Sequence, residues 1–127
     1  MFARKTDMKK IGRLKKRSDF LCVQRSGKKW VSKGIIVEIS DNDNLGIRYG
    51  LTVSKKVSKL AVIRNRIKRR LKAVANDVLP AYINHNLDIV LIGRQTSEDR
   101  DYEDLQNDLR WCLKKLGIKS DDQKTAD

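Results

Sequence analysis

Apolar positions recur along the chain with two periods, and each period predicts a set of elements. The clearest alternation runs from Leu45 to Ser54. Leu45, Ile47, Tyr49, Leu51 and Val53 face one way, and Gly46, Arg48, Gly50, Thr52 and Ser54 face the other, the period of a half-buried strand. Gly34–Ser40 reads the same way, with Ile35, Val37 and Ile39 opposite Gly34, Ile36 and Glu38, and Trp30-Val31 supplies a shorter strand before it. Asp41-Asn42-Asp43-Asn44 is the turn between the two longer strands. The row of glycines and polar residues offers little for a helix to pack on, so that face of the sheet is expected to stay open to solvent or to a ligand. Leu87–Gly93, LDIVLIG, is a near-continuous apolar run, expected to be an interior strand paired parallel to the strand that precedes the long helix.

The helical period appears three times. Ile63, Ile67, Leu71, Val74 and Val78 fall on one stripe at about 100° per residue, which predicts a long helix from Leu60 that fades near Leu79, ahead of Pro80. Tyr102, Leu105, Leu109, Cys112, Leu113 and Leu116 mark a last helix, with an acidic start, Lys114 and Lys115 at its end and Gly117 as its stop. A short first helix is expected to be capped by Ser18, to present Phe20, Leu21 and Val23, and to end at Gly27. The element order is thus α-β-β-β-α-β-α in one domain, 18–117, since 127 residues make one core but not two comfortable ones. Residues 1–17 read as a flexible basic arm and 118–127 as a disordered tail.

Charge changes this picture of an ordinary small domain. The net charge is +13, but residues 1–72 carry 22 Lys or Arg against 5 Asp or Glu, and residues 73–127 carry 7 against 11. Acidic residues are absent from Leu45 to Asn76, a span that holds Lys55, Lys56 and Lys59 as well as the long helix with Arg64, Arg66, Lys68, Arg69, Arg70 and Lys72. Solvated helix faces normally mix signs, and like charges three or four residues apart repel by a few tenths of a kcal/mol per pair. Folding alone therefore gives no reason for the cluster, whereas a polyanion does.

Candidate chemistry on the chain itself is sparse. His85, the only histidine, sits in a polar turn between Asn84 and Asn86 and reads as a surface residue rather than a general base. Asp41 and Asp43 lack an EF-hand continuation, and no Walker, dinucleotide-binding or zinc-ligand pattern is present. Cys22 and Cys112, without CxxC spacing, read as reduced thiols. With no apolar run near the ~18 residues of a membrane span, these point to a cytoplasmic protein without a membrane partner.

The segment Ala61-Val-Ile-Arg-Asn-Arg-Ile-Lys-Arg-Arg-Leu-Lys72, with its Arg-Asn-Arg centre, closely resembles the signature helix of the bacterial ribonuclease P protein subunit. Arg13-Leu-Lys-Lys-Arg-Ser-Asp-Phe20 is similar to that family's N-terminal block, Gly50-Leu-Thr-Val-Ser-Lys-Lys-Val57 to its strand leading into the helix, and Asp88–Arg94 to its last strand. The resemblance implies an α+β two-layer sandwich like a domain of a small-subunit ribosomal protein, with a four-stranded mixed sheet and a left-handed crossover around the signature helix, against the usual preference. It also implies a task. The protein would bind a catalytic RNA and the 5′ leader of precursor tRNA, and the complex would remove the leader with Mg²⁺, the chemistry residing on the RNA and no metal ligand on the protein.

Carried over by position, Lys55, Lys56, Arg64, Asn65, Arg66, Lys68, Arg69, Arg70 and Lys72 would contact the catalytic RNA. Phe20, Trp30, Arg48, Thr52, Ser54 and Arg94 would line the leader cleft, where a base stacked on an aromatic ring is worth ~1–3 kcal/mol by truncation. Three departures from the family pattern bear on that cleft and the loop beside it. Gln24 stands where relatives often carry a second aromatic, Glu38 replaces a cleft tyrosine of some relatives, and Val57–Ala61 lacks the usual Gly-Asn and is one residue longer. Two other classes compete with this one: a structural ribosomal or other non-catalytic RNA-binding module, and a self-sufficient protein nuclease dependent on His85 or an acidic residue.

Overall fold

A computed structural model describes residues 11–121. Its elements are β1 (Gly12–Arg13), α1 (Arg17–Ser26), β2 (Lys28–Val31), β3 (Ile35–Asp41), β4 (Arg48–Thr52), α2 (Ala61–Val78), β5 (Leu87–Gly93) and α3 (Tyr102–Lys115), with short 3-10 turns at Leu79–Tyr82 and Gln95–Ser97. They build one mixed sheet in the order β1-β4-β5-β3-β2, in which β4 and β5 are parallel neighbours joined through α2, and β3 runs antiparallel to both β5 and β2.

The sheet has five strands, not the four expected. The fifth is β1, where the Gly12 and Leu14 amides donate to the Ile47 and Tyr49 carbonyls at 2.9 and 2.8 Å. Leu14 is buried, and the Arg13 guanidinium lies 4.8 Å over the Tyr49 ring. Two residues between lysines carry no periodic signal, so the strand is invisible in the sequence, and part of the expected arm is instead sheet edge. At the other end, residues 118–121 of the expected tail are placed against the 3-10 turn after α2. There the Asp121 amide donates to the Ala81 carbonyl, and His85 Nε2 donates to the Lys119 carbonyl, both at 2.6 Å. Residues 14–17 of the expected arm lead into α1, and residues 1–10 and 122–127 lie outside the described residues.

One face of the sheet carries the main core. Ile35, Val37, Ile39, Tyr49, Ile89 and Leu91 meet Ile67, Leu71, Val74 and Val78 of α2 and Leu105, Leu109 and Leu113 of α3. Each such side chain contributes roughly 1.5–3 kcal/mol when fully buried, so four on α2 outweigh the mutual repulsion of its cations several times over. Gly93 lets α2 close on the end of β5, because a Cβ there would lie 2.8 Å from Val53 Cγ2 and 2.9 Å from Ile67 Cγ2.

The opposite face is not left open along its whole length. Helix α1 packs on it through Val23, which is fully buried with Leu14 and Val90, and through Phe20. The helix begins one residue before Ser18, with Lys16 at the cap position and no side-chain cap, and ends where Gly27 takes φ 75°. The Ser26 hydroxyl ties its last turn to β3 through the Ile39 carbonyl at 2.5 Å.

Candidate nucleic-acid interface

The register across the sheet sets the floor of a cleft beside α1. One row of side chains on that face is Gly50, Val90, Glu38 and Lys29, and the next is Thr52, Ile92, Ile36 and Val31. Phe20 covers Gly50, leaving between α1 and the sheet a cleft of about 540 Å³ lined by Lys15, Arg17, Phe20, Gln24, Glu38 and Thr52 among others. Its floor is apolar at Val90 and Ile92, and its rim is cationic at Lys15 and Arg17. A second groove of about 390 Å³ continues past Ile92 to Ser54, Lys56 and Arg94.

Of the six residues expected in the cleft, Phe20 and Thr52 line it, and Ser54 and Arg94 line its continuation. Arg94 is held there by donating to the Ser32 carbonyl at 2.6 Å. Arg48 is turned to a structural task. It grips Asp88 through Nε and Nη at 2.8 and 2.7 Å, while the Asn42 side-chain amide donates to the same carboxylate at 2.8 Å. The hydrogen bond to Asp88, opposed by burial and aided by the carboxylate's charge, raises the Arg48 pKa. Trp30 is on the other side of the sheet, since it pairs with the core residue Val37 and sets its ring at 5.9 Å and 71° to Trp111 of α3. Strand parity decides this, because direct cross-strand partners point the same way.

Gln24 and Glu38 both line the cleft, so Glu38 does not turn away; Lys15 and Arg17 on the rim offset its charge. Lys15, Arg17, Val90 and Ile92 were not among the expected site residues. The signal for the first two was present in the basic block before Phe20. For Val90 and Ile92, a continuous apolar run conceals which positions face the cleft.

The cations of α2 divide into two sets. On the flank toward α3, Arg66 donates to Glu98 Oε2 at 2.9 Å, and Arg70 donates to the carbonyls of Ser97, Glu98 and Arg100. Arg64 folds back on the loop before the helix, donating to the Ser58 and Lys59 carbonyls at 2.9 and 3.0 Å. These bonds fix the loop that departs from the family pattern. Asn65, Lys68, Arg69 and Lys72 are exposed and make no side-chain hydrogen bond or ion pair among the described residues, and Lys55 and Lys56 are exposed in the turn that leads to the helix. No acidic residue stands in the first turn of α2, so its N-terminal amides add to the positive field. The surface is therefore a free cationic flank, Lys68–Arg69–Lys72, supported by arginines that hold the helix in place.

The family model described as Ribonuclease P matches residues 8–117. The chain belongs to the ribonuclease P protein family. It is 41% identical over 113 residues to the ribonuclease P protein component of Paramagnetospirillum magneticum, covering 85% of this chain and 84% of that protein. It is 40% identical over 108 residues to that of Gluconacetobacter diazotrophicus, covering 84% and 92%. The fold is similar to the Staphylococcus aureus RNase P protein, with TM-score 0.70, 30% identity and coverage of 86% of this chain and 98% of that one. It is also similar to the RNase P protein of Thermotoga maritima, with TM-score 0.68, 29% identity and coverage of 81% and 96%. As a protein component of ribonuclease P, the chain is part of an endoribonuclease that matures the 5′ ends of tRNA, and its partner is the ribonuclease P RNA.

Proposed function

We propose that this ribonuclease P protein holds two RNAs on two surfaces, the catalytic RNA on the open flank of α2 and the 5′ leader of precursor tRNA in the cleft beneath Phe20. The separation of these surfaces carries the reading: Lys68, Arg69 and Lys72 lie on the outer side of a helix packed on one face of the sheet, while the cleft lies on the other face. A phosphate backbone suits the first, where exposed cations have no competing partner among the described residues. Unpaired bases suit the second, where an aromatic ring and an apolar floor lie inside a cationic rim. Asn65, Lys55 and Lys56 extend the first surface, and Arg66 joins it when Glu98 lets go.

The protein's contribution is positioning. With the catalytic RNA on α2 and the leader in the cleft, the bond to be cut is brought to the RNA's reactive centre, and the entropy of alignment is met by binding. Mg²⁺ is assigned to the RNA. Among the described residues no group of three or more His, Cys, Asp or Glu could hold a metal ion, and Asp88, Glu98 and Asp108 are each committed to an arginine. The described residues do not fit a resident divalent ion. The free thiols Cys22 and Cys112 suit a reducing cytoplasm, and no helix among the described residues is long and apolar enough to cross a membrane.

Reconstitution with a ribonuclease P RNA at low Mg²⁺ tests the reading. The protein should stimulate cleavage of precursor tRNA, and Phe20→Ala should weaken leader-bearing substrate more than mature tRNA. Equal loss for both would remove the leader from the cleft.

A further inference from the structure

The two tryptophans left outside the cleft form a surface of their own. Trp30 and Trp111 are 37% and 42% exposed, their rings meet edge to face at 5.9 Å, and Lys115 Nζ stands 5.7 Å over the Trp111 ring. Lys28 is on the same face of β2 as Trp30, because it pairs with the core residue Ile39. Arg110 and Lys114 line a depression of about 320 Å³ beside Trp111. Within one turn of Trp111 the only carboxylate is Asp108, which is bound to Arg100 through both oxygens. Exposed aromatic rings inside a ring of cations are the features by which unpaired nucleotides are stacked and their phosphates held.

A path connects this surface to the cleft. The row Thr52–Ile92–Ile36–Val31 runs from the cleft floor to β2, an edge strand, and Val31 and Lys29 stand exposed at that edge on the cleft face. From β5 to β2 is two inter-strand steps, roughly 10 Å. Trp30 is the residue between Lys29 and Val31, so turning the edge brings a strand from the cleft face directly to its ring. The lysines on β2 disfavour pairing of that edge with another protein strand, as does the net charge of +13.

We propose that Trp30 and Trp111 are a second stacking site for single-stranded RNA, taking leader nucleotides beyond those that fill the cleft after they cross the β2 edge. This rests on the cleft holding the leader. A base on Trp111 displaces the Lys115 head, which then meets the flanking phosphate.

The test uses the reconstituted holoenzyme and two precursor tRNAs, one whose leader only fills the cleft and one extended by further unpaired nucleotides. Trp111→Ala should weaken the long-leader substrate about ten-fold and leave the short one unchanged, with Trp111→Phe retaining most of the affinity. Equal effects on both substrates, or none, would overturn the proposal, as would a Trp111→Ala effect traced by sedimentation to a change in self-association. Phe20→Ala separates the two readings. If it weakens both substrates while Trp111→Ala weakens neither, the cleft stands and the extension fails; if Phe20→Ala has no leader-dependent effect, the cleft reading itself fails.

Discussion

Phe20 rests directly on the backbone of Gly50: a Cβ at Gly50 would lie 2.5 Å from Phe20 Cε1 and Cζ and 3.2 Å from Leu14 Cβ. The missing side chain lets α1 sit low enough for an aromatic ring to form one wall of the cleft. Gly50→Ala should therefore push the ring outward and destabilise the protein by about 1–3 kcal/mol, the usual effect of overpacking. In a Phe20→Ala background the same change should do much less. Thermal denaturation of the two single variants and the double variant measures the coupling, and simple additivity would show that the contact is not strained.

Glu98 is ion-paired with Arg66 at 2.9 Å. The pair is surface-exposed, with side-chain exposure of 53% for Arg66 and 26% for Glu98, so Glu98→Gln should change stability by less than about 1 kcal/mol. Freed of its partner, Arg66 should join the phosphate contacts, tightening the catalytic-RNA complex and steepening its salt dependence by about one unit of log–log slope. Filter binding across a salt series measures this; an unchanged slope means Arg66 is structural even with RNA bound.

The open flank of α2 should dominate electrostatic binding. Replacing Arg69 and Lys72 with alanine removes two cations without local partners, so affinity should drop and the salt slope should flatten by about two units. Arg70→Ala should act differently. It leaves the Ser97, Glu98 and Arg100 carbonyls without their donor, so its effect should appear first as a lower melting temperature.

Asp88 is buried under Arg48 and Asn42. Asp88→Ala strands the Arg48 guanidinium and removes one of the two acceptors of the Asn42 amide, which should cost about 2 kcal/mol. Urea denaturation reads that loss. Unchanged stability combined with weaker leader binding would return Arg48 to the cleft.

Alkaline titration should report the contact between α3 and the end of α2. Burial first, then the hydrogen bond that the Tyr102 hydroxyl donates to Asp77 and the charge of that carboxylate, push the Tyr102 pKa from 10.0 up to about 12. The neutral phenol is the form the fold favours. Its contribution is complete below about pH 10 and is lost as pH rises through about 12. Tyr102 is partly exposed, so the effect is small. Tyr102→Phe should lack this increment of alkaline destabilisation, measured as the difference in melting temperature between neutral pH and pH 11; equal differences in both proteins would discount the contact.

Much of the molecule was determined by local sequence. Alternation in 34–54 placed β3 and β4 and assigned Ile35, Val37, Ile39 and Tyr49 to the core, because one buried face leaves a period-two signature. The stripe Ile67–Leu71–Val74–Val78 fixed the buried side of α2, and the Arg-Asn-Arg centre with its flanking blocks pointed to the family. Tertiary structure decided the rest, for reasons that period and composition do not carry. β1 exists only because β4 presents an unpaired edge to Gly12 and Leu14. Which cations are free depends on the distant Glu98 and the carbonyls of residues 97–100, so a uniform charge run became an anchored flank and an open one. Trp30 moved from the cleft to the reverse face because its parity is set by pairing with Val37, a register that the short, isolated β2 sequence cannot specify.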